Sequence, residues 1–336
     1  MNLQTAYLGL DLRSPLVASP SPLTGALDTL RQLEDAGAGA VVLPSLFEEQ
    51  LRHRFHDPLW SRTHGIEPYP AELSYLPEEE LFRFDPEGCL ELVGNAASAL
   101  EIPVIASLSG AAPGEWTGFA REMEAAGAAA IELSIYHVPT ELEQSAEEVE
   151  DSHVELVEAV RDAITIPLAV KLCPFFTSLP HFASRLVAAG ANGLVLFNRL
   201  FSADVELEHG EFERGIRLTT SRDLELALRW MMLLHDRLKA SLAATGGAHT
   251  AADALKLIFG GADVVMLCSA LLRHGAGRLA DIEREMSRRL EARGHVSLRQ
   301  ARGCMDMHLW GALSERERAN YIWAVGNFGR QAAAAP

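Results

Sequence analysis

The chain has 336 residues, 48% of them hydrophobic, with a formal net charge of −17 at pH 7 and a pI near 5.1. That length and apolar content suffice for the core of a large α/β domain, and the acidic balance excludes nucleic-acid binding or anionic-membrane docking through a general basic surface. The sequence has no bilayer-length apolar run, and Cys89, Cys173, Cys268 and Cys304 form no C-x-x-C pair. Its first residues carry no basic region followed by an apolar one, so no export leader is expected. The expectation is therefore a cytoplasmic protein without a disulfide framework, structural zinc or iron–sulfur cluster.

In chain order, Thr5–Leu12 reads as a small hairpin, placed to cover the bottom of a barrel. A strand at Leu16–Ser19 comes next. Then a rhythm sets in, of helical segments ending in a small-residue turn and followed at once by an apolar strand. Gly37-Ala38-Gly39 precedes Ala40–Leu43, Gly127-Ala128 precedes the strand from Ala130, Gly190-Ala191 precedes Gly193–Asn198, and Gly260-Gly261 precedes Asp263–Leu267. Glycine just past a helix end is a C-cap, and continuous apolar strands imply burial on both faces. Two further strands begin at Ile102-Pro103 and Ile166-Pro167, where a missing N–H disrupts a ladder least, and another runs over Leu242–Ala244. The count of eight strands alternating with helices predicts a (β/α)8 TIM barrel, here as a single domain over 1–336 with terminal helices from about 296.

Insertions at Leu46–Pro86, Tyr136–Glu147 and Leu200–Thr220 each come after a strand, so they are expected to roof the catalytic face. The stretch Ser241–Gly275 packs two strand–helix turns close together. Gly246-Gly247 leads into a helix from about Thr250, and Cys268-Ser269 opens another. Free N–H groups and helix dipoles at such turns favour an anion, and small residues let a phosphate approach the backbone.

Strand alternation puts Ala169, Lys171 and Cys173 on one face, at the end of a barrel strand. A buried lysine needs a negative partner, either a ligand or Glu132 of the neighbouring strand, which would make the role structural. Ser134 alternates with Glu132 toward the barrel mouth. Tyr136 and His137 open the following loop, where either can donate or accept a proton. Asn198, and more weakly Ser107 and Ser109, offer hydrogen bonds to a planar ring. Ala18-Ser19 leaves room for such a ring against the backbone. His53, His56 and His64 match no metal-site spacing, and no metal is expected.

These residues, in this order and at barrel spacing, resemble the FMN-dependent dihydroorotate dehydrogenase family over nearly the whole chain. The resemblance rests on Ala18-Ser19, Ser107 in Ala106–Gly110, Glu132-Leu133, Val170-Lys171-Leu172 with Pro174-Phe175-Phe176, Asn198, Thr245-Gly246-Gly247, Gly261-Ala262-Asp263 and Ser269. It implies FMN, with Lys171 near the ring edge that becomes negative on reduction and Gly246, Gly247, Cys268 and Ser269 around the phosphate. Ala18, Ser19, Ser107, Ser134 and Asn198 complete the implied cofactor contacts. It further implies a small-molecule substrate of the pyrimidine class, with dihydroorotate oxidised to orotate in pyrimidine biosynthesis, and neither nucleic acid nor membrane as partner. The soluble class of the family often dimerises, so a homodimer is a further expectation.

The sequence also departs from the family. The loop after the fourth barrel strand carries no cysteine or serine base at the family's position, so His137 or Tyr136 is expected to act instead. Ser134 stands where the family has asparagine, Leu43-Pro44-Ser45 carries no lysine, and a glycine pair is reduced to Gly215. Two alternatives therefore stay open: an FMN-binding barrel without turnover, and a flavin-free lyase or isomerase acting on a phosphorylated metabolite.

Overall fold

The computed structural model describes residues 1–55, 85–201, 204–208, 211–212, 216–305 and 313–328. Two short strands, β1 (Thr5–Tyr7) and β2 (Leu10–Leu12), form the N-terminal antiparallel hairpin. Eight parallel strands close into a barrel: β3 (Leu16–Ala18), β4 (Ala40–Phe47), β5 (Val104–Gly110), β6 (Ala130–Ile135), β7 (Leu168–Leu172), β8 (Gly193–Leu196), β11 (Ser241–Thr245) and β12 (Val264–Leu267). Between β8 and β11 a second small hairpin pairs β9 (Val205–Glu206) with β10 (Glu211–Phe212). This is the expected TIM barrel.

Helices on the outside connect the strands: α1 (Leu27–Asp35), α2 (Glu48–Phe55), α3 (Pro86–Ala99), α4 (Phe119–Ala125), α5 (Ala146–Ala163), α6 (Leu179–Ala188), α7 (Leu224–Leu234), α8 (Ala251–Phe259), α9 (Ser269–His274) and α10 (Arg278–Ala292). Two more, α11 (Leu298–Ala301) and α12 (Leu313–Gly326), come after the barrel. Among the described residues no helix is long and apolar enough to cross a membrane.

Alternation along the strands separates two apolar layers. Ile131, Leu133, Leu168, Val170 and Leu172 face outward into the layer beneath the helices. Val17, Val42, Ile105, Ala130, Ala169, Val195 and Val264 face inward and fill the lower barrel. The N-terminal hairpin closes that floor. Its Leu8-Gly9 turn has positive φ at both residues (56° and 79°), the arrangement whose twist suits a two-residue hairpin. The strain of a left-handed leucine is held by burial and by Leu8 N donating to Ser241 Oγ at 3.0 Å. Thr5 Oγ1 donates to Asp263 O at 3.0 Å on the other side.

The first insertion, expected from Leu46 as a roof over the catalytic face, begins in regular structure. Leu46 and Phe47 complete β4, and the next residues form α2, whose acidic first turn (Glu48, Glu49) suits the helix dipole. Most of the rest of that insertion, with His56 and His64, lies outside the described residues, as do Gly215 and the closing alanine run.

Tyr7 is fully buried under the barrel floor. Tyr7→Ala should therefore cost ~3–5 kcal/mol in urea unfolding, as truncation of a buried aromatic does. Tyr7→Phe keeps the ring and should stay within ~1 kcal/mol of wild type. Equal stability of Tyr7→Ala and wild type would show that the hairpin does not seal the floor.

Candidate functional site

Above the apolar floor the inward positions turn polar. On β6 the sequence Ala130-Glu132-Ser134 climbs from floor to mouth, and on β7 the counterpart is Ala169-Lys171-Cys173. Parallel register sets Ser134 beside Lys171 and Glu132 beside Ala169. The long side chain of Lys171 therefore reaches diagonally to Glu132, with Nζ 3.3 Å from Oε1. Both residues are buried, and Glu132 is inaccessible to solvent. Of the two partners weighed for Lys171, the fold supplies the carboxylate, and it leaves Glu132 Oε2 without a partner among the described residues. The ammonium also faces a cavity.

That cavity, of ≈ 500 Å³, opens at the C-terminal ends of the barrel strands. Ser19, Ser109, Ser134, Tyr136, Lys171, Asn198, Gly246, Gly247, Cys268 and Ser269 all line it. Ala18, Ser107 and His137 do not. Ala18 points into the outer layer beneath the helices. Ser107 is buried, its Oγ 2.7 Å from Ser45 Oγ on the neighbouring strand. His137 turns toward α5, where its Nδ1 lies 3.2 Å from His153 Nε2.

At the wall formed by β6 and β8, Asn198 Nδ2 donates to Ser134 Oγ at 2.9 Å, and Asn198 N donates to Leu172 O at 2.6 Å. This fixes the carboxamide at the mouth. Tyr136 stands on the rim, its hydroxyl accepting from Phe201 N at 2.7 Å. At the opposite wall the Gly246-Gly247 turn has φ of 89° and 82°. A Cβ on Gly247 would lie 2.2 Å from Leu224 N, so only glycine lets the chain pass there. A Cβ on Gly246 would meet nothing within 4 Å. The cavity thus meets bare backbone at Gly246.

The surroundings of that turn are ordered by side chains. Thr250 and Asp253 cap α8 reciprocally, and Asp253 Oδ2 also accepts from Ser221 Oγ at 2.7 Å. Thr219 N donates to Ser269 Oγ at 3.1 Å, while Thr219 Oγ1 lies 3.1 Å from His249 Nε2. Burial first, and then the charge of Arg273, hold His249 below its ordinary pKa. Burial pushes the Cys268 thiol up, and the charge of Lys171 partly offsets it.

Further lining residues escaped sequence reasoning: Ser45, Phe47, Phe197, Arg199, Phe201 and Thr219. Thr219 sits in an insertion with no periodic signal. Arg199 directly follows Asn198, and that adjacency is the signal that could have found it.

Residues 90–290 match the family model for dihydroorotate dehydrogenase. A dihydroorotate dehydrogenase B (NAD(+)) catalytic subunit from Methanothermobacter thermautotrophicus is 25% identical, the match covering 88% of this chain and 96% of the relative. The corresponding protein of Pyrococcus abyssi is 24% identical over 90% of this chain and 98% of its own. A putative dihydroorotate dehydrogenase A (fumarate) from Aeropyrum pernix is 29% identical over 63% of this chain and 71% of its own.

The buried His153 beside His137 has a measurable consequence. Burial, and secondarily the charge of His137, hold its pKa down at about 4. Between about pH 6.5 and pH 4 the unfolded chain binds a proton that the folded chain does not, so stability present above ~6.5 falls as pH drops through this window. The loss amounts to ~3 kcal/mol and levels off below ~pH 4. Urea unfolding of His153→Phe from pH 7.5 to 4.5 should show a shallower acid loss than wild type; identical slopes would remove His153 as the cause.

Proposed function

The chain belongs to the dihydroorotate dehydrogenase family, and on that premise we propose that it oxidises dihydroorotate to orotate with FMN held in the barrel mouth. It is an oxidoreductase of the dihydroorotate dehydrogenase type. The observation that carries the cofactor reading is the cavity's own chemistry. One end is backbone bared at Gly246 in the Gly246-Gly247 turn, the other holds the buried ammonium of Lys171, and no aspartate or glutamate is among the described lining residues. Such a lining suits a long anion with a phosphate at one end and a ring that gains negative charge at the other.

In this reading Gly246, Gly247, Cys268 and Ser269 hold the phosphate, and Ser19, Ser134, Lys171 and Asn198 surround the ring. FMN, when bound, supplies the hydride acceptor for oxidation of a C–C single bond. The protein's residues supply the rest. Lys171, pointed by Glu132, places its buried ammonium at the base of the mouth, where electrostatic stabilisation is stronger than in bulk water. Asn198, tied to Ser134, presents an Oδ1 that has no partner among the described residues. Oxidation also needs a group to take the proton from the neighbouring carbon. Tyr136 fits that role better than His137, because its hydroxyl borders the cavity while the imidazole is turned to His153. The hydrogen bond from Phe201 N holds the Tyr136 oxygen at the rim, from which the proton can pass to solvent.

Purified protein should be yellow, release FMN on denaturation, and bleach when dihydroorotate is added anaerobically. A colourless protein that takes up no added FMN would refute the cofactor reading. FMN bound without bleaching would leave a binding barrel without this turnover. Tyr136→Phe should lower kcat by ~10²–10⁴-fold with KM little changed, the usual loss for a general base; an unaltered kcat would remove Tyr136 from the chemistry. Lys171→Met combined with Glu132→Gln, which strands no buried charge, should weaken FMN binding or lower the flavin's reduction potential. If both stay at wild-type values, Lys171 has no part in holding the ring.

A further inference from the structure

We propose that Arg199 is the specificity-determining residue of the site, reading the carboxylate of a planar heterocyclic monocarboxylate substrate. The inference rests on the substrate reading above and names the group that recognises the acid.

In a chain of net charge −17 the cavity is lined by Lys171, Arg199 and Arg217, with no aspartate or glutamate among its described lining residues. Two of these cations have anionic partners. Lys171 is held by Glu132, and Arg217 pairs with Asp204. Arg199 is exposed at the mouth and has no hydrogen-bond or ion-pair partner among the described residues. The nearby carboxylate of Asp223 feels its charge, after the hydrogen bonds from Thr220. That carboxyl is held below its usual range chiefly by hydrogen bonds from Thr220, at 2.6 Å from the backbone N–H and 3.0 Å from the hydroxyl. Both bonds fall on Oδ2, and no bond joins Asp223 to Arg199.

The base of Arg199 is fixed although its side chain is long. It follows Asn198, whose N–H is anchored to Leu172 O and whose carboxamide is anchored to Ser134. A guanidinium so placed can reach down to a ligand in the mouth with its planar fork, which matches a carboxylate bidentately. The aromatic rings of Phe47 and Phe201 line the same mouth although 42% and 52% exposed, and they offer apolar faces to a flat ring. An acid on a flat ring meets both needs together. Lys171 cannot serve in the same way, since its charge is already shared with Glu132 deeper in the barrel.

Calorimetric titration of FMN-loaded wild type and Arg199→Gln with orotate, and with uracil as the same ring lacking the carboxylate, tests this. Orotate should bind Arg199→Gln ~10- to 100-fold more weakly, the loss of a charge-assisted bidentate pair, while uracil binding changes less than about twofold. The salt dependence of orotate binding should also flatten in the variant. Arg199→Lys, which keeps the charge but not the fork, should fall between the two. Equal orotate affinity in wild type and Arg199→Gln overturns the assignment of Arg199 alone, as does an equal weakening of orotate and uracil. Wild type that holds FMN but binds no orotate overturns the substrate reading and the assignment with it, so the two failures are told apart.

Discussion

The Lys171–Glu132 pair is the contact on which the candidate site depends. Two charges inside a barrel are costly to desolvate, and their attraction offsets that cost only when the geometry is good. Here the geometry comes from parallel register. Glu132 and Lys171 lie on adjacent strands, two rungs apart on the inner face, and the parallel pairing of β6 with β7 keeps them there. Removing one partner strands the other, at ~3–5 kcal/mol for a buried pair. A lysine held in this way has one side committed to the protein and one side free to meet a ligand.

The barrel arranges polarity as a gradient. At the bottom, Tyr7, Leu8 and Leu12 plug an interior of valines and alanines. In the middle stands the ion pair. At the top, serines, Asn198 and the Gly246-Gly247 backbone meet the cavity. The apolar floor excludes water from below, which strengthens every electrostatic interaction above it. The hairpin that seals the floor, with its strained Leu8-Gly9 turn, therefore contributes to the site without touching it.

Much of this was legible in the sequence. Small-residue turns before apolar strands located β4, β6, β8 and β12, and Ile-Pro marked the entry to β5 and β7. Period-two alternation pointed Glu132, Ser134 and Lys171 inward, and glycine at Gly246-Gly247 marked a turn that no other residue could make at its second position. What alternation does not report is the direction of a residue once the strand has ended. Tyr136 and His137 are neighbours at the same strand end, yet one borders the cavity and the other packs on His153. Ala18 and Ser19 are likewise adjacent, one facing the helices and the other the mouth. Arg199 and Thr219 carried no periodic signal at all.

By itself, then, the sequence determined the barrel, the inward faces of its strands and the bare backbone at Gly246-Gly247. These come from local rules: side-chain period, the steric freedom of glycine, and the burial of apolar runs. Closure into a barrel decided the rest. It chose Glu132 as the partner of Lys171, turned His137 away from the mouth, and brought Arg199 to a cavity with no carboxylate among its described lining residues. Those are contacts between residues far apart in the chain, set by register and loop path. No local rule reports them.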